Sequence, residues 1–261
     1  MQKNLLLDSL PRKAYLQLLP ALTPVTLGFG QVLYEPGQRL QEVYFPTSCL
    51  VSLLTIVEGH LAIEVGLVGR EGMVGVPLAL GLAQSQVRAL VQGGGPALRM
   101  SKARFLRELR LNPHLRRALN KYIYALMGQI TLTAACNRFH VVEARLARWL
   151  LMTRDRVGSG EFRMTHEFLS TMLGVRRVGV TEAATTFQRR NLLEYSRGKI
   201  KILDHRGLEA AACSCYAAEP KVVPPYAAAL TGRRPTQRSR RPSTKPAANT
   251  IATDLSGFAA T

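Results

Sequence analysis

The stretch from Thr165 to Asp204, THEFLSTMLGVRRVGVTEAATTFQRRNLLEYSRGKIKILD, is compatible with few folds. Thr165 can cap a helix whose buried face is Phe168, Leu169, Met172 and Leu173. Gly174 follows, and glycine readily takes the left-handed conformation that a tight helix end requires. Helical periodicity resumes after Val175, with Val180, Ala183, Ala184 and Phe187 at i, i+3, i+4 and i+7 on one side. The other side gathers Val178, Thr181, Glu182, Thr185 and Arg189, with Arg176 and Arg177 at the entrance. A helix, a glycine turn and a second helix with a narrow apolar face make the helix-turn-helix pattern. LLEYSRGKIKILD then reads as two short strands around Arg197-Gly198, which places a basic hairpin tip beside the second helix.

By itself an arginine-bearing helix is also what a solvated basic face looks like. The two readings separate on order and on charge. A long helix, a scaffold helix, the helix-turn-helix and the basic hairpin follow one another in a single basic unit. The formal net charge of the chain is +18, and residues 138–216 carry 14 basic against 8 acidic side chains, a balance of +6. Such an excess favours polyanionic partners. Arg pairs two-pronged with guanine, Thr methyls touch thymine, and backbone N–H groups at a helix start favour phosphate. The residues expected to face a DNA groove are Arg176, Arg177, Thr181, Glu182, Thr185 and Arg189, with His166, Arg197 and Lys199 near phosphate.

Upstream, from about Val25 to Met100, short apolar runs such as QVLYEPGQ, EVYFPTSC and LAIEVGLVGREG are separated by Pro36-Gly37, Glu58-Gly59 and the glycines at 93–95. Partial alternation in QEVYFP and HLAIEVGLV marks half-buried strands, and the spacing predicts an antiparallel β sandwich or jelly roll. The overall class is α+β. SKARFLRELRLNP predicts a short helix with Ser101 as candidate N-cap. A long helix then runs from Pro113 to about Arg138, with Leu119, Tyr122, Leu126, Ile130 and Thr133 on one apolar stripe. That stripe fits packing on its own domain or pairing with a twin in a dimer. The expected organisation is a helical lead over 1–24, a β-roll over 25–111, a dimerisation helix over 112–138 and a winged unit over 139–216. A basic tail rich in Pro, Ala, Ser, Thr and Arg, expected to be disordered, fills 217–261. No apolar run reaches membrane-spanning length and the N-terminus has no secretory core, so the expected location is the cytoplasm.

With these elements in this order, the chain resembles the Crp/Fnr superfamily of bacterial transcription factors over roughly residues 20–215, most specifically from Thr165 to Asp204. The resemblance implies a cyclic-nucleotide-binding-like jelly roll, a dimerisation helix and a winged helix-turn-helix. Such proteins bind double-stranded DNA as homodimers on inverted repeats, and contact RNA polymerase where they activate. It also implies an effector pocket around Gly72, Gly75, Val76 and Arg88. Two departures matter. Val178 and Glu182 stand where well-known members carry Glu and a second Arg on the recognition helix, so the operator should differ from theirs. Val76 follows Gly75, and Arg88 is followed by Ala89, so the Gly-Glu and Arg-Ser/Thr pairs that hold a cyclic nucleotide are missing. Cyclic AMP is therefore not the expected effector, and its identity stays open.

Other chemistries find little support. An iron–sulfur sensor of this family needs an N-terminal cysteine cluster, and only Cys49 is there. A haem would need a placed axial ligand, and His60 in a Glu-Gly-His turn reads as a surface residue. With no His-x-His, a cupin-like metal enzyme has no ligand set. Cys136, Cys213 and Cys215 complete a set too scattered for a disulfide framework. Cys213-x-Cys215 suits metal or an oxidant, although free thiols are the preferred reading. No catalytic residue, metal or cofactor is expected. The competing function is a small-molecule-binding module whose basic domain contacts RNA or protein.

Overall fold

Alternating and doubly apolar runs between Thr23 and Ser101 build two antiparallel sheets. In the computed structural model, which describes residues 3–56 and 62–219, the chain begins with α1 (Leu5–Asp8) and α2 (Arg12–Leu18). The strands are β1 (Thr23–Leu27), β2 (Val32–Tyr34), β3 (Glu42–Pro46), β4 (Leu50–Thr55) and β5 (Ile63–Val68), then a short α3 (Val76–Ala79), β6 (Arg88–Gly93) and β7 (Gly95–Ser101). They pair as a three-stranded sheet β1-β7-β3 and a four-stranded sheet β2-β6-β4-β5, the roll that the sequence predicts. The Glu58-Gly59 turn and His60 lie outside the described residues.

β4 shows why the run LVSLLT lacks clean alternation. Val51 and Leu53 point into the roll's own core. Leu50 packs with Met152, and Leu54 packs with Leu146, Trp149 and Leu150 of the following domain. Both faces of the strand are covered, so both are apolar.

α4 (Lys102–Leu111) leads into α5 (Pro113–Phe139), where Asn112 accepts from the Leu115 N–H at 3.1 Å and Pro113 sits at the first helical position. Ser101 occupies the N-cap of α4 but makes no side-chain capping bond. The apolar stripe of α5 divides. Leu119, Tyr122 and Leu126 pack inside the protomer's own core with Leu115, and the Tyr122 hydroxyl donates to the Met73 carbonyl at 3.1 Å. These three are buried within the protomer, which is one of the two packings that the stripe fits. Thr133 is half-buried and accepts from Arg148. Of the five, Ile130 is exposed, and the other large apolar residues of α5 facing outward are Tyr124, 77% exposed, Met127, 62% exposed, and Phe139 at its end.

The C-terminal half continues as α6 (Val142–Val157), β8 (Glu161–Arg163), α7 (His166–Leu173), α8 (Arg177–Arg189), β9 (Leu193–Ser196), β10 (Lys199–Ile202) and α9 (His205–Ala211). β8 pairs with β10, so the wing is a three-stranded sheet β8-β10-β9 rather than the two strands read from sequence. The fold also runs on to Glu219, through the first three residues assigned to the tail; the rest of that segment lies outside the described residues. Among the described residues no helix is long and apolar enough to cross a membrane.

The sheet and α6 meet over a buried carboxyl. Glu64 accepts from the Ser52 hydroxyl at 2.6 Å and from the Trp149 indole N–H at 2.9 Å. Burial pushes its pKa from 4.5 up to about 7, against those bonds and the charges of Arg156 and Arg148. The folded state therefore holds this proton between pH 4.5 and about 7 while the unfolded chain releases it. Its contribution to stability is largest below that window and falls as pH rises through it. Glu64→Gln removes the titration. At pH 8 it should exceed wild type by about 1–3 kcal/mol, with little difference at pH 4.5, in urea midpoints. Parallel pH profiles for the two proteins would sink this expectation.

Candidate nucleic-acid interface

Thr165 caps α7 by accepting from the Phe168 N–H at 3.1 Å. Gly174 closes the helix at φ +61, its N–H satisfying the Ser170 and Thr171 carbonyls. The Val175 N–H also returns to Ser170 O, at 3.0 Å, so the turn is tight and α8 starts at once. α8 buries Val180, Ala183, Ala184 and Phe187 against α6 and α7, the face given by the sequence. Ala183 and Ala184 add no bulk beyond a methyl, which lets the two helices lie close.

The outward face is supported from beneath. The Thr181 hydroxyl donates to the Arg177 carbonyl at 3.1 Å, and Thr185 donates to the Thr181 carbonyl at 2.8 Å. Arg176, Arg177, Thr181, Glu182 and Arg189 are exposed, and Thr185 is half-buried. Arg177 lies 3.9 Å from Glu167 with both side chains largely exposed, a loose pair that leaves the guanidinium free to swing. Glu182, which suits a pairing with Arg177 or Arg189, forms no salt bridge with either. Arg190, by contrast, is braced to Glu143 of α6 at 3.3 Å.

Beside the helix, Arg197 (φ +49) and Gly198 (φ +75) turn the hairpin, both in the left-handed region, as a two-residue type I′ loop requires. Arg197 and the following Lys199 are exposed at its tip. His166 also makes contacts within the domain. Its ring stacks on Tyr195 of β9, with centroids 4.2 Å apart, and Nδ1 meets the Thr181 hydroxyl at 3.0 Å. Nε2 is buried without a partner. Burial, then the charge of Arg177, lowers its pKa. His166 is half-buried and joins the wing to α8. Tyr195 was missed in the sequence, because a tyrosine in a short strand carries no sign of which ring it will meet.

The positions expected to hold an effector make contacts within the chain. A Cβ on Gly72 would stand 2.2 Å from the Tyr122 ring, so the ring fills that space. Gly75 (φ +102) packs on Val43 and serves as the cap of α3, where Val76 begins the helix. Arg88 is paired with Glu35 at 2.8 Å.

The segment spanning this helix-turn-helix and its wing matches a family model described as the Crp-like helix-turn-helix domain, over residues 144–211. Residues 144–211 are a Crp-like helix-turn-helix domain. The whole described chain has the Crp/Fnr fold. It is similar to a protein assigned to the Crp/Fnr family of transcriptional regulators from Eubacterium rectale, at 17% identity and TM-score 0.60 over 79% of this chain and 96% of the other. It is similar to FixK2 of Bradyrhizobium japonicum, at 12% identity and TM-score 0.64 over 74% and 98%. A third similar structure is CLP of Xanthomonas campestris, a regulator described as c-di-GMP-responsive, at 15% identity and TM-score 0.61 over 74% and 100%. No curated protein matches the sequence. In this Crp/Fnr-type architecture the Crp-like domain supplies α6 to α9, and α5 joins it to the β roll.

Proposed function

We propose that the protein is a sequence-specific, double-stranded-DNA-binding transcription regulator that acts as a homodimer on inverted-repeat operators. The observation that carries this reading is the row of exposed Arg176, Arg177, Thr181, Glu182 and Arg189, with half-buried Thr185 among them, at the start and along the outer face of α8, and the Arg197–Lys199 tip beside it. A helix with its apolar face locked into a Crp-like domain and its arginines outward is built to enter a major groove. Val178, 58% exposed on that face, offers an apolar contact for a thymine methyl, and Glu182 an acceptor for a cytosine amino group. The outward face of α5, with Tyr124, Met127, Thr131, Ala134 and Ala135 exposed, provides the surface for a twin helix. Tyr122 over Gly72 and the Arg88–Glu35 pair argue against cyclic AMP as the effector.

Selection from random duplex DNA tests this directly. An enriched palindrome is expected, and no enrichment would sink the proposal in favour of a module contacting RNA or protein. On the selected site Arg177→Ala should cost about 1–3 kcal/mol and relax choice at one base pair. Lys199→Ala should weaken all sequences alike and lower the salt slope by about one unit. A gel-shift series over salt separates the two, and wild-type behaviour in both variants contradicts the docking.

A further inference from the structure

Near the joint between α5 and α6, four side chains from distant parts of the chain converge. Cys136 and His140 stand at i and i+4 on the last turn of α5 and just beyond it; Cys213 and Cys215 follow α9. One ligand atom from each lies within 4.8 Å of all the others. The Cys136 and Cys213 sulfurs are 3.5 Å apart, and Cys215 Sγ is 3.7 Å from His140 Nδ1. All four cysteines of the chain are free thiols, and these three are buried. A tetrahedral Zn2+ with bonds of about 2.3 Å to sulfur holds its sulfurs about 3.8 Å apart. The two shortest separations are close to the edges of one tetrahedron, and the remaining ones, within 4.8 Å, need only a small inward shift of the side chains. The separations are too compact for ligands spread around several irons of a cluster.

The charge around the group points the same way. Arg145 and Arg148 are buried, at 8% and 6% exposure, and neither forms a salt bridge with a carboxylate among the described residues. Arg145 donates to Asn137 Oδ1 and the Leu173 carbonyl; Arg148 reaches Thr133 Oγ1 only at 3.4 Å, and both Nε atoms lack partners. Arg148 acts on Glu64 and Glu219 only from beyond ion-pair distance, and buried cations without a directly paired anion are costly. Three thiolates, a neutral imidazole and one Zn2+ sum to a single negative charge, which supplies what these guanidiniums lack.

We propose that Cys136, His140, Cys213 and Cys215 bind one structural Zn2+ ion. Binding displaces the remaining thiol protons to solvent and leaves no open coordination position. The ion fastens the segment after α9 to the end of α5, beside the His140–Val141 joint at which α6 begins. It thereby fixes the Crp-like domain to the helix that carries the outward apolar face.

The full-length chain, purified under reducing conditions, should contain about one Zn2+ per chain by elemental mass spectrometry. Metal-free protein titrated with Co2+ should give thiolate-to-cobalt charge-transfer absorption and the intense visible bands of a tetrahedral site. Cys213→Ser should weaken Zn2+ binding by more than about 100-fold, beyond the roughly 10–100-fold that loss of an outer-shell partner costs. Cys49→Ser, in the roll core, should leave it unchanged. Should Cys213→Ser fail to fold, the wild-type cobalt spectrum decides. An octahedral spectrum without charge transfer overturns the proposal, as does wild-type affinity in Cys213→Ser.

Discussion

Arg156→Leu is expected to destabilise the protein by about 3–5 kcal/mol, the cost of leaving buried carboxylates without their cation. The Arg156 Nε donates to Glu71 at 2.9 Å and to the Leu67 carbonyl at 3.2 Å, while a terminal nitrogen donates to Glu219 at 2.6 Å. Glu219 also accepts from Gln129 of α5 at 3.0 Å, and Gln129 Oε1 accepts from the Leu67 N–H at 2.6 Å. One guanidinium thus ties β5, α5, α6 and the end of the described chain together. Burial alone would lower the Arg156 pKa, but Glu219 and Glu71 raise it. Burial likewise works against an ionised Glu219, and Arg156 lowers its pKa regardless. Removing the cation therefore exposes the full penalty of the anions. Adding Glu71→Gln and Glu219→Gln to Arg156→Leu should recover much of the loss, because the buried charges go with it. Urea midpoints for the single and triple variants measure both effects. A loss under about 1 kcal/mol for Arg156→Leu would show that the network is incidental.

This network was not legible in the sequence. The periodicity of VVEARLARWLLMTRDR shows an apolar face through Val142, Leu146, Trp149 and Leu150. It does not show that α6 is covered on several sides, which buries Arg145, Arg148 and Arg156 as well. Periodicity reports one contact face, and a helix sandwiched between a sheet, α5 and α8 has more than one. The stripe of Leu119, Tyr122 and Leu126 packs within the protomer, and periodicity alone did not say whether the roll or a twin helix would cover it. The metal-ligand set was hidden differently. Cys136 and His140 are separated from Cys213 and Cys215 by the whole Crp-like domain, so no local spacing joins them. The helix-turn-helix was legible because every determinant is local: a cap at Thr165, left-handed Gly174, and four apolar residues at helical spacing. His166 shows the limit of that reading, since its stacking on Tyr195 needs a strand nearly thirty residues away to be in place.

Phe187→Ala should also cost about 3–5 kcal/mol, and its consequences for DNA differ from those of Arg177→Ala. Phe187 is 0% exposed and is the largest buried side chain of α8, packed with Leu146, Leu150, Leu169 and Leu193. Its carbonyl also receives the Leu192 N–H at 2.9 Å, where the chain leaves α8 for the wing. Truncating it opens a cavity beneath the recognition helix, while the roll core around Tyr122 belongs to a separate cluster. Binding should therefore fail on warming, as the Crp-like domain loses its packing. At a temperature where the variant is still folded by circular dichroism, its base preference should equal that of wild type. Arg177→Ala should do the reverse, with stability within about 0.5 kcal/mol of wild type and preference relaxed at one position. The two variants together separate holding the helix from reading with it. A folded Phe187→Ala protein with altered base preference would mean that the buried face of α8, and not its arginines, sets the sequence that is read.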